Sequence, residues 1–346
     1  MQIPQHLPWK SVRPLGSGGQ GQVHLVTKHE NGSNTKYALK ILRKRGSPKA
    51  RQRFRREIAA IRRVDHPTVV KVLEFAEEHD DFQYYVMKYH EGAQPLDKVI
   101  ASPSKNPFHG NVCSSLNLFE QIISAIDACQ KSETPIVHRD IKPQNILVLK
   151  GNKICVIDFG ICQLDDGSFI TLTDENVGPR FYMAPECGAG NEDSVGAHSD
   201  IYSAAKVLWS AITSQLVFDR ERPVFENRSM KHMFPTNPNT WHLKHIFTRT
   251  IRESPENRIQ SAEDAQQLID EVRYLSQRGF PPLEIVKYRC PSCGMKSLDE
   301  FPKAQQVFGE YRLRKAAAFQ CTACGFVFLR NTELLQENLT GDREFR

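Results

Sequence analysis

Gly16, Gly18 and Gly21 stand in G-x-G-x-x-G spacing within "LGSGGQGQVHLV", with Val23 just behind them. Followed by a helix, that spacing marks a dinucleotide-binding turn. Followed by a strand, it makes a β-hairpin whose backbone N–H groups approach phosphates because no Cβ intervenes. Strand residues follow here, which favours the hairpin, and a glycine-rich turn formed for geometry alone is the plainer alternative. Downstream, "KYALKIL" alternates with period 2 and places Ala38 and Lys40 on one face, Tyr37, Leu39 and Ile41 on the other. A lone strand lysine ordinarily lays its stem along an edge. In "RQRFRREIAAIRRV", however, Phe54, Ile58 and Ile61 form an apolar stripe, and the one acid of that helix, Glu57, shares it. A carboxylate facing a core needs a cationic partner, and Lys40 is the candidate.

A second chemistry lies near the other end. Cys290, Cys293, Cys321 and Cys324 form C-x₂-C-x₂₇-C-x₂-C, with Gly294 and Gly325 directly after each pair. Four thiolates in two tight knuckles suit tetrahedral Zn²⁺. A C-x-x-C redox pair is the rival, but it calls for a βαβ setting, and "QVFGEYRLR", "AAFQ" and "GFVFLR" read as short strands. The segment resembles a zinc ribbon. With no open ligand position the metal is expected to be structural, replacing a core too small to hold such a segment alone. Arg289, Lys296, Arg312, Arg314, Lys315 and Arg330 leave a weak nucleic-acid contact as a lesser alternative.

The elements that must position these residues follow from pattern. Residues 12–90 alternate glycine punctuation, β-rich runs and one basic helix, as an antiparallel sheet with a single helix requires. Residues 116–275 read mostly helical: "SLNLFEQIISAIDACQ" and "DIYSAAKVLWSAIT" both repeat apolar residues at helical spacing, the second with Ile201, Ala204, Ala205, Leu208 and Ile212 on one stripe. The class is therefore α+β, a small β-rich lobe before a larger helical one. "ASPSKNPFHGN", 101–111, is expected to be a loop, and "SQRGFPPLEIVKY", 276–288, a linker. The boundaries are 9–275 for the main domain, 289–331 for the ribbon and 332–346 for a tail.

Composition narrows the partners. A net charge of +6 from 46 basic and 40 acidic side chains is mild for a nucleic-acid binder. Eleven Lys and Arg against one Glu concentrate in residues 40–63, read as a solvated helix face or, alternatively, a dock for an acidic or phosphorylated partner. The chain has no apolar run long enough to span a bilayer and no secretory signal at its start, and Cys113, Cys129, Cys155, Cys162 and Cys187 are scattered singly, as suits reduced thiols; a cytoplasmic location without a membrane partner is expected.

"VHRDIKPQNILV", "KICVIDFGI" and "VGPRFYMAPE" follow the glycine loop and "YALK" in order, and with them residues 12 to about 275 resemble a eukaryotic-type protein kinase domain of the Ser/Thr class, a bilobal fold. The resemblance implies ATP and Mg²⁺ as cofactors and protein substrates as partners. It implies that Lys40, held by Glu57, contacts the α/β-phosphates, that Asn145 and Asp158 ligate Mg²⁺, that Asp140 receives or orients the substrate hydroxyl proton, and that Lys142 offsets charge on the transferred group. Leu15, Gly16, Gly18, Gly21, Val23 and Ala38 would line the nucleotide from above, Met87 would stand behind the adenine, and Lys88 to His90 would form the hinge. Glu186 would pair with Arg258, and Asp200 would brace the catalytic loop. Three positions depart from the family pattern: Pro179 replaces a Thr whose hydroxyl meets Asp140 and Lys142, Lys88 replaces a hinge acid, and Ile141 replaces Leu. Arg139 beside Asp140 implies neutralisation by an activation-loop phosphate, with Ser168, Thr171 and Thr173 as candidates and Thr171 or Thr173 the expected autophosphorylation sites. The rival function is a weakly active, nucleotide-binding scaffold assembling partners through the ribbon, favoured only by Pro179. Small-molecule phosphotransfer is disfavoured by the peptide-binding segment around "APE".

Overall fold

The computed structural model describes residues 3, 7–18, 21–30, 32–42, 48–76, 83–159, 181–188, 194–217, 228–277, 298–300, 316–321 and 327–331. The chain divides into two compact units, Met1–Phe225 with Phe247–Gln266, and Glu226–Ile246 with Gln267–Arg346.

The first unit begins with a five-stranded antiparallel sheet, order β1-β2-β3-β5-β4, built from β1 (Lys10–Gly18), β2 (Gly21–Glu30), β3 (Ser33–Leu42), β4 (Val72–Ala76) and β5 (Tyr84–Lys88). Between β3 and β4 runs α1 (Pro48–Arg62), which tightens at its end where Arg63 and Val64 N–H donate to the Ala60 and Ile61 carbonyls, just ahead of Pro67. Register fixes the faces of the sheet. Val23 opposes Lys40 and Lys40 opposes Tyr85, while Leu25, Ala38 and Met87 sit one pleat along on the same side. Leu39, Ile41, Val26, Tyr84 and Val86 occupy the other side. They are buried there under Trp9, with Ile3, Leu7 and Tyr37 at the margin. Both faces of β3 are thus covered, the outer one by residues preceding the sheet.

The remainder of this unit is mainly helical. After β6 (Gln94–Pro95) come α2 (Leu96–Ile100) and α3 (Val112–Gln130), the latter capped by Asn111, whose side chain accepts from Ser114 N–H at 3.0 Å. Then come β7 (Ile146–Val148), β8 (Ile154–Val156), α4 (Pro185–Gly188) and α5 (Ala197–Thr213). Every residue of α5 from Ser199 to Thr213 is buried, so the expected single stripe widens to the full circumference. The expectation of mostly helical structure over 116–275 omits β7 and β8, which form a separate small sheet with β6, in the order β6-β7-β8. Three-residue strands carry too little period to read. Residues 101–111 are more than a loop. Pro103–Lys105 form a 3₁₀ turn, Phe108 is fully buried, and Asn106 Nδ2 donates to the Ala211 carbonyl (2.7 Å) and Ser214 Oγ (2.8 Å), closing the C-terminus of α5.

The second unit includes α6 (Met230–Met233), the first three residues of α7 (Lys244–Thr250) and the larger part of α8 (Ala262–Gln277), the remaining residues of both helices belonging to the first. It also holds a three-stranded antiparallel sheet, order β11-β10-β9, from β9 (Leu298–Glu300), β10 (Ala316–Cys321) and β11 (Val327–Asn331). No helix among the described residues is long and apolar enough to cross a membrane.

Candidate functional site

The inner face of the small sheet and the β7–β8 hairpin bring the sequence-selected residues together. Lys40 Nζ donates to Glu57 Oε1 at 2.6 Å and to Asp158 Oδ1 at 2.7 Å. Glu57 is 1% exposed and lies on α1 with Phe54, Ile58 and Ile61, all buried. Tyr85 OH also donates to Glu57 Oε1, at 2.9 Å, and its ring packs on Phe54. Tyr85 carries no motif of its own in the sequence, although period 2 in "YYVMK" places it on the Lys40 face. Burial works against the Lys40 ammonium, but the Asp158 and Glu57 carboxylates outweigh it and raise its pKa. The lysine is a fixed cation at any working pH.

Asp140, Lys142 and Asn145 form the second cluster. Lys142 Nζ donates to both Asp140 carboxylate oxygens at 2.8 Å. Asn145 Nδ2 donates to the Asp140 carbonyl (2.9 Å) and Oδ2 (2.8 Å). Burial raises the Asp140 pKa against the opposing pull of Lys142, the direction that suits a proton acceptor. The loop that carries Asp140 is tied to α5: Asp200 Oδ2 and Oδ1 accept from the backbone N–H of His138 (2.6 Å) and Arg139 (2.8 Å). Burial pushes the Asp200 carboxyl up to about 7. Arg139 and Asp158 both adopt positive φ, 65° and 55°, a conformation that costs side-chain-bearing residues energy and that the surrounding bonds must hold. Burial brings His138 down to about 4; it accepts from Asp140 N–H through Nδ1 at 3.3 Å and its ring lies 4.5 Å from that of Phe159. A nitrogen that accepts carries no proton, so the ring is neutral.

Asp158 and Asn145 meet because the hairpin returns on itself: Ile157 N–H donates to the Asn145 carbonyl at 2.9 Å, and Asn145 Nδ2 lies 3.5 Å from the Asp158 carbonyl. With Nδ2 committed to Asp140 and Asp158 Oδ1 to Lys40, the remaining side-chain atoms are Asn145 Oδ1 and Asp158 Oδ2. Both are hard oxygen donors, which fits a small divalent cation. Among the described residues no group of three or more His, Cys, Asp and Glu is placed to hold a metal.

Above this centre, Leu15 and Gly16 belong to β1 and Leu15 is 37% exposed. Gly18 faces Gly21 across the hairpin. At Gly21 a Cβ would stand 2.3 Å from the Ile41 carbonyl oxygen, so this glycine answers a close approach of β3 whatever lies beneath the hairpin. Val23 is half-buried, Ala38 and Met87 are buried, Lys88 is exposed, and His90 is half-buried with its pKa lowered by burial and by Lys88.

Helix α4 is anchored as well. Arg258 forks onto Glu186 at 2.6 and 2.9 Å, and Ser199 Oγ donates to Glu186 Oε1 at 2.5 Å. Ser168, Thr171, Thr173 and Pro179, and Cys290, Cys293 and Cys324, lie outside the described residues. Cys321 closes β10.

Comparison with known proteins matches this arrangement. A model of the protein kinase domain covers residues 9–277. The chain is 32% identical over 268 residues to "Serine/threonine-protein kinase PrkC" of Bacillus subtilis, covering 75% of this chain and 39% of that protein. It is 31% identical over 302 residues to "Serine/threonine-protein kinase PknB" of Mycobacterium tuberculosis, covering 82% and 45%. It thus spans less than half the length of these two relatives. The solved PknI kinase domain of M. tuberculosis superposes with a TM-score of 0.57 at 24% identity, over 77% of this chain and 96% of that one, a likeness of fold.

Proposed function

The chain belongs to the protein kinase domain family, and from that premise we propose that it transfers the γ-phosphoryl group of ATP to Ser and Thr hydroxyls of protein substrates. The observation that carries this reading is the pair of clamps meeting at the β7–β8 hairpin: Lys40 between Glu57 and Asp158, and Asp140 between Lys142 and Asn145. Phosphoryl transfer asks a protein for alignment and for compensation of negative charge, and these residues supply both. Lys40 orients the α/β-phosphates. Asp140, its carboxylate fixed by Asn145, receives the substrate hydroxyl proton. Lys142 lies beside the transferred group and offsets the charge that develops there. Ala38, Val23, Leu15 and Met87 enclose the base, with the backbone from Lys88 to His90 as hinge. Asn145 and Asp158 would hold Mg²⁺, which neutralises phosphate charge when bound.

Activation-segment autophosphorylation at Thr171 or Thr173, whose phosphate would neutralise Arg139, belongs to the same reading. So does a structural Zn²⁺ held by Cys290, Cys293, Cys321 and Cys324 in a ribbon that serves recognition or regulation. The Ser/Thr preference is supported by the likeness to serine/threonine-protein kinases and by Lys142. The deciding assay measures transfer of labelled phosphate from ATP to the chain itself and to a generic basic protein, with Lys40→Met and Asp140→Asn as controls. Label is expected with the wild type alone, and Thr171 or Thr173 should carry it in phosphopeptide maps. Absence of label on both acceptors in the presence of Mg²⁺ would overturn the assignment.

A further inference from the structure

Lys206 lies in the middle of α5 and is 1% exposed, with Ala204, Ala205, Val207 and Leu208 buried around it. An ammonium in such surroundings is costly unless hydrogen bonds and an aromatic face replace its hydration. Both are present. Nζ donates to the Phe181 carbonyl at 2.5 Å and stands 4.8 Å from the centroid of the Tyr202 ring. The same ring carries the Arg258 guanidinium carbon at 4.6 Å, and Arg258 forks onto Glu186. Lys206 and Arg258, meeting at Tyr202, therefore fasten the two ends of residues 181–186. Between these ends, Tyr182 OH and Ser210 Oγ of α5 lie 2.9 Å apart.

An aliphatic side chain would fill the place of Lys206 in this helix without the desolvation cost, so packing does not account for a lysine. Its bond to Phe181 gives the ammonium a task no aliphatic residue can perform, because a donor on that carbonyl fixes the orientation of the peptide joining Phe181 to Tyr182. We infer that Lys206 is a positioning residue for the peptide-binding segment Phe181–Glu186, holding it in the conformation that receives a protein substrate. The inference rests on the kinase reading to this extent, that the segment preceding "APE" is peptide-binding apparatus in the resemblance.

The test compares the full chain with Lys206→Met, which keeps length and removes the donor, and with Lys206→Gln, which retains a shorter one. The KM for a generic basic protein acceptor is expected to rise about tenfold in Lys206→Met, with partial recovery in Lys206→Gln, since misplacing a positioning element costs reactivity while nucleotide contacts are kept. The KM for ATP should stay within about twofold, because no nucleotide contact is altered. Hydrogen exchange read by mass spectrometry needs no turnover: amides of residues 181–184 should exchange faster in Lys206→Met, and those of β2 and β3 should not change. Faster exchange without any transfer by the wild type would sink the kinase reading and leave the anchoring role standing. Unaltered acceptor KM and exchange, or a lowered Tm with both KM values rising together, would overturn the inference.

Discussion

Lys40 is gripped by two carboxylates, and this grades the expected effects of substitution around it. Removing the cation, as in Lys40→Met, should lower transfer by at least about a hundredfold, as loss of a charge-stabilising donor does. Glu57→Gln keeps an acceptor for Lys40 and Tyr85 but loses one of the two charges, so a smaller fall is expected, about tenfold, measured as kcat/KM against ATP. Equal loss in the two variants would mean that Asp158 alone cannot hold the lysine. His138 supplies a pH dependence of known sign. Its folded value, about 4, lies below its ordinary 6.5, so between those values the unfolded chain binds a proton that the folded chain refuses. Stability therefore falls as pH drops through that window and is regained above it. His138→Phe keeps a ring against Phe159 and cannot titrate. Its Tm relative to wild type should rise steadily as pH goes from about 6.5 towards about 4. Asp200, which titrates higher in the same region, is present in both proteins and cancels from the difference.

At the scale of elements, α4 is held by a buried ion pair between Glu186 and Arg258. Arg258→Leu leaves Glu186 without its guanidinium, with Ser199 and the His198 ring still beside it, and should cost about 3–5 kcal/mol in urea unfolding. Pairing it with Glu186→Leu should recover part of that loss; a double variant as unstable as the single would show that the charges themselves are not the cause. How far such elements were readable in the sequence depended on whether a residue contradicted its own local pattern. Glu57 did so: an acid on an apolar stripe has few explanations, and its partner lay on the facing strand. The mostly helical 116–275 hid β7 and β8 because three residues show no period. Asn106 in 101–111 resembled any polar loop residue, since its role at the end of α5 is set by an element some 105 positions away. Lys206 is illegible in the sequence for the same reason. On a helix wheel a lysine reads as solvent-facing, and only the packing of α5 on every side makes it a buried cation.

For the whole molecule, the outstanding expectation concerns the four cysteines near the C-terminus. Purified protein should contain one zinc per chain by elemental analysis, and Cys290→Ser with Cys293→Ser should lose it while ATP affinity is retained. Loss of nucleotide binding along with the metal would mean that the two functions share one folding unit. The same separation can be followed optically. The chain has three tryptophans: Trp9 is buried on the outer face of the small sheet, Trp209 is buried in α5, and Trp241 donates from Nε1 to the Phe234 carbonyl at 2.9 Å within the second compact unit. Each fluorophore reports a different region. Variants retaining one tryptophan apiece would turn intrinsic emission into three local thermometers of unfolding.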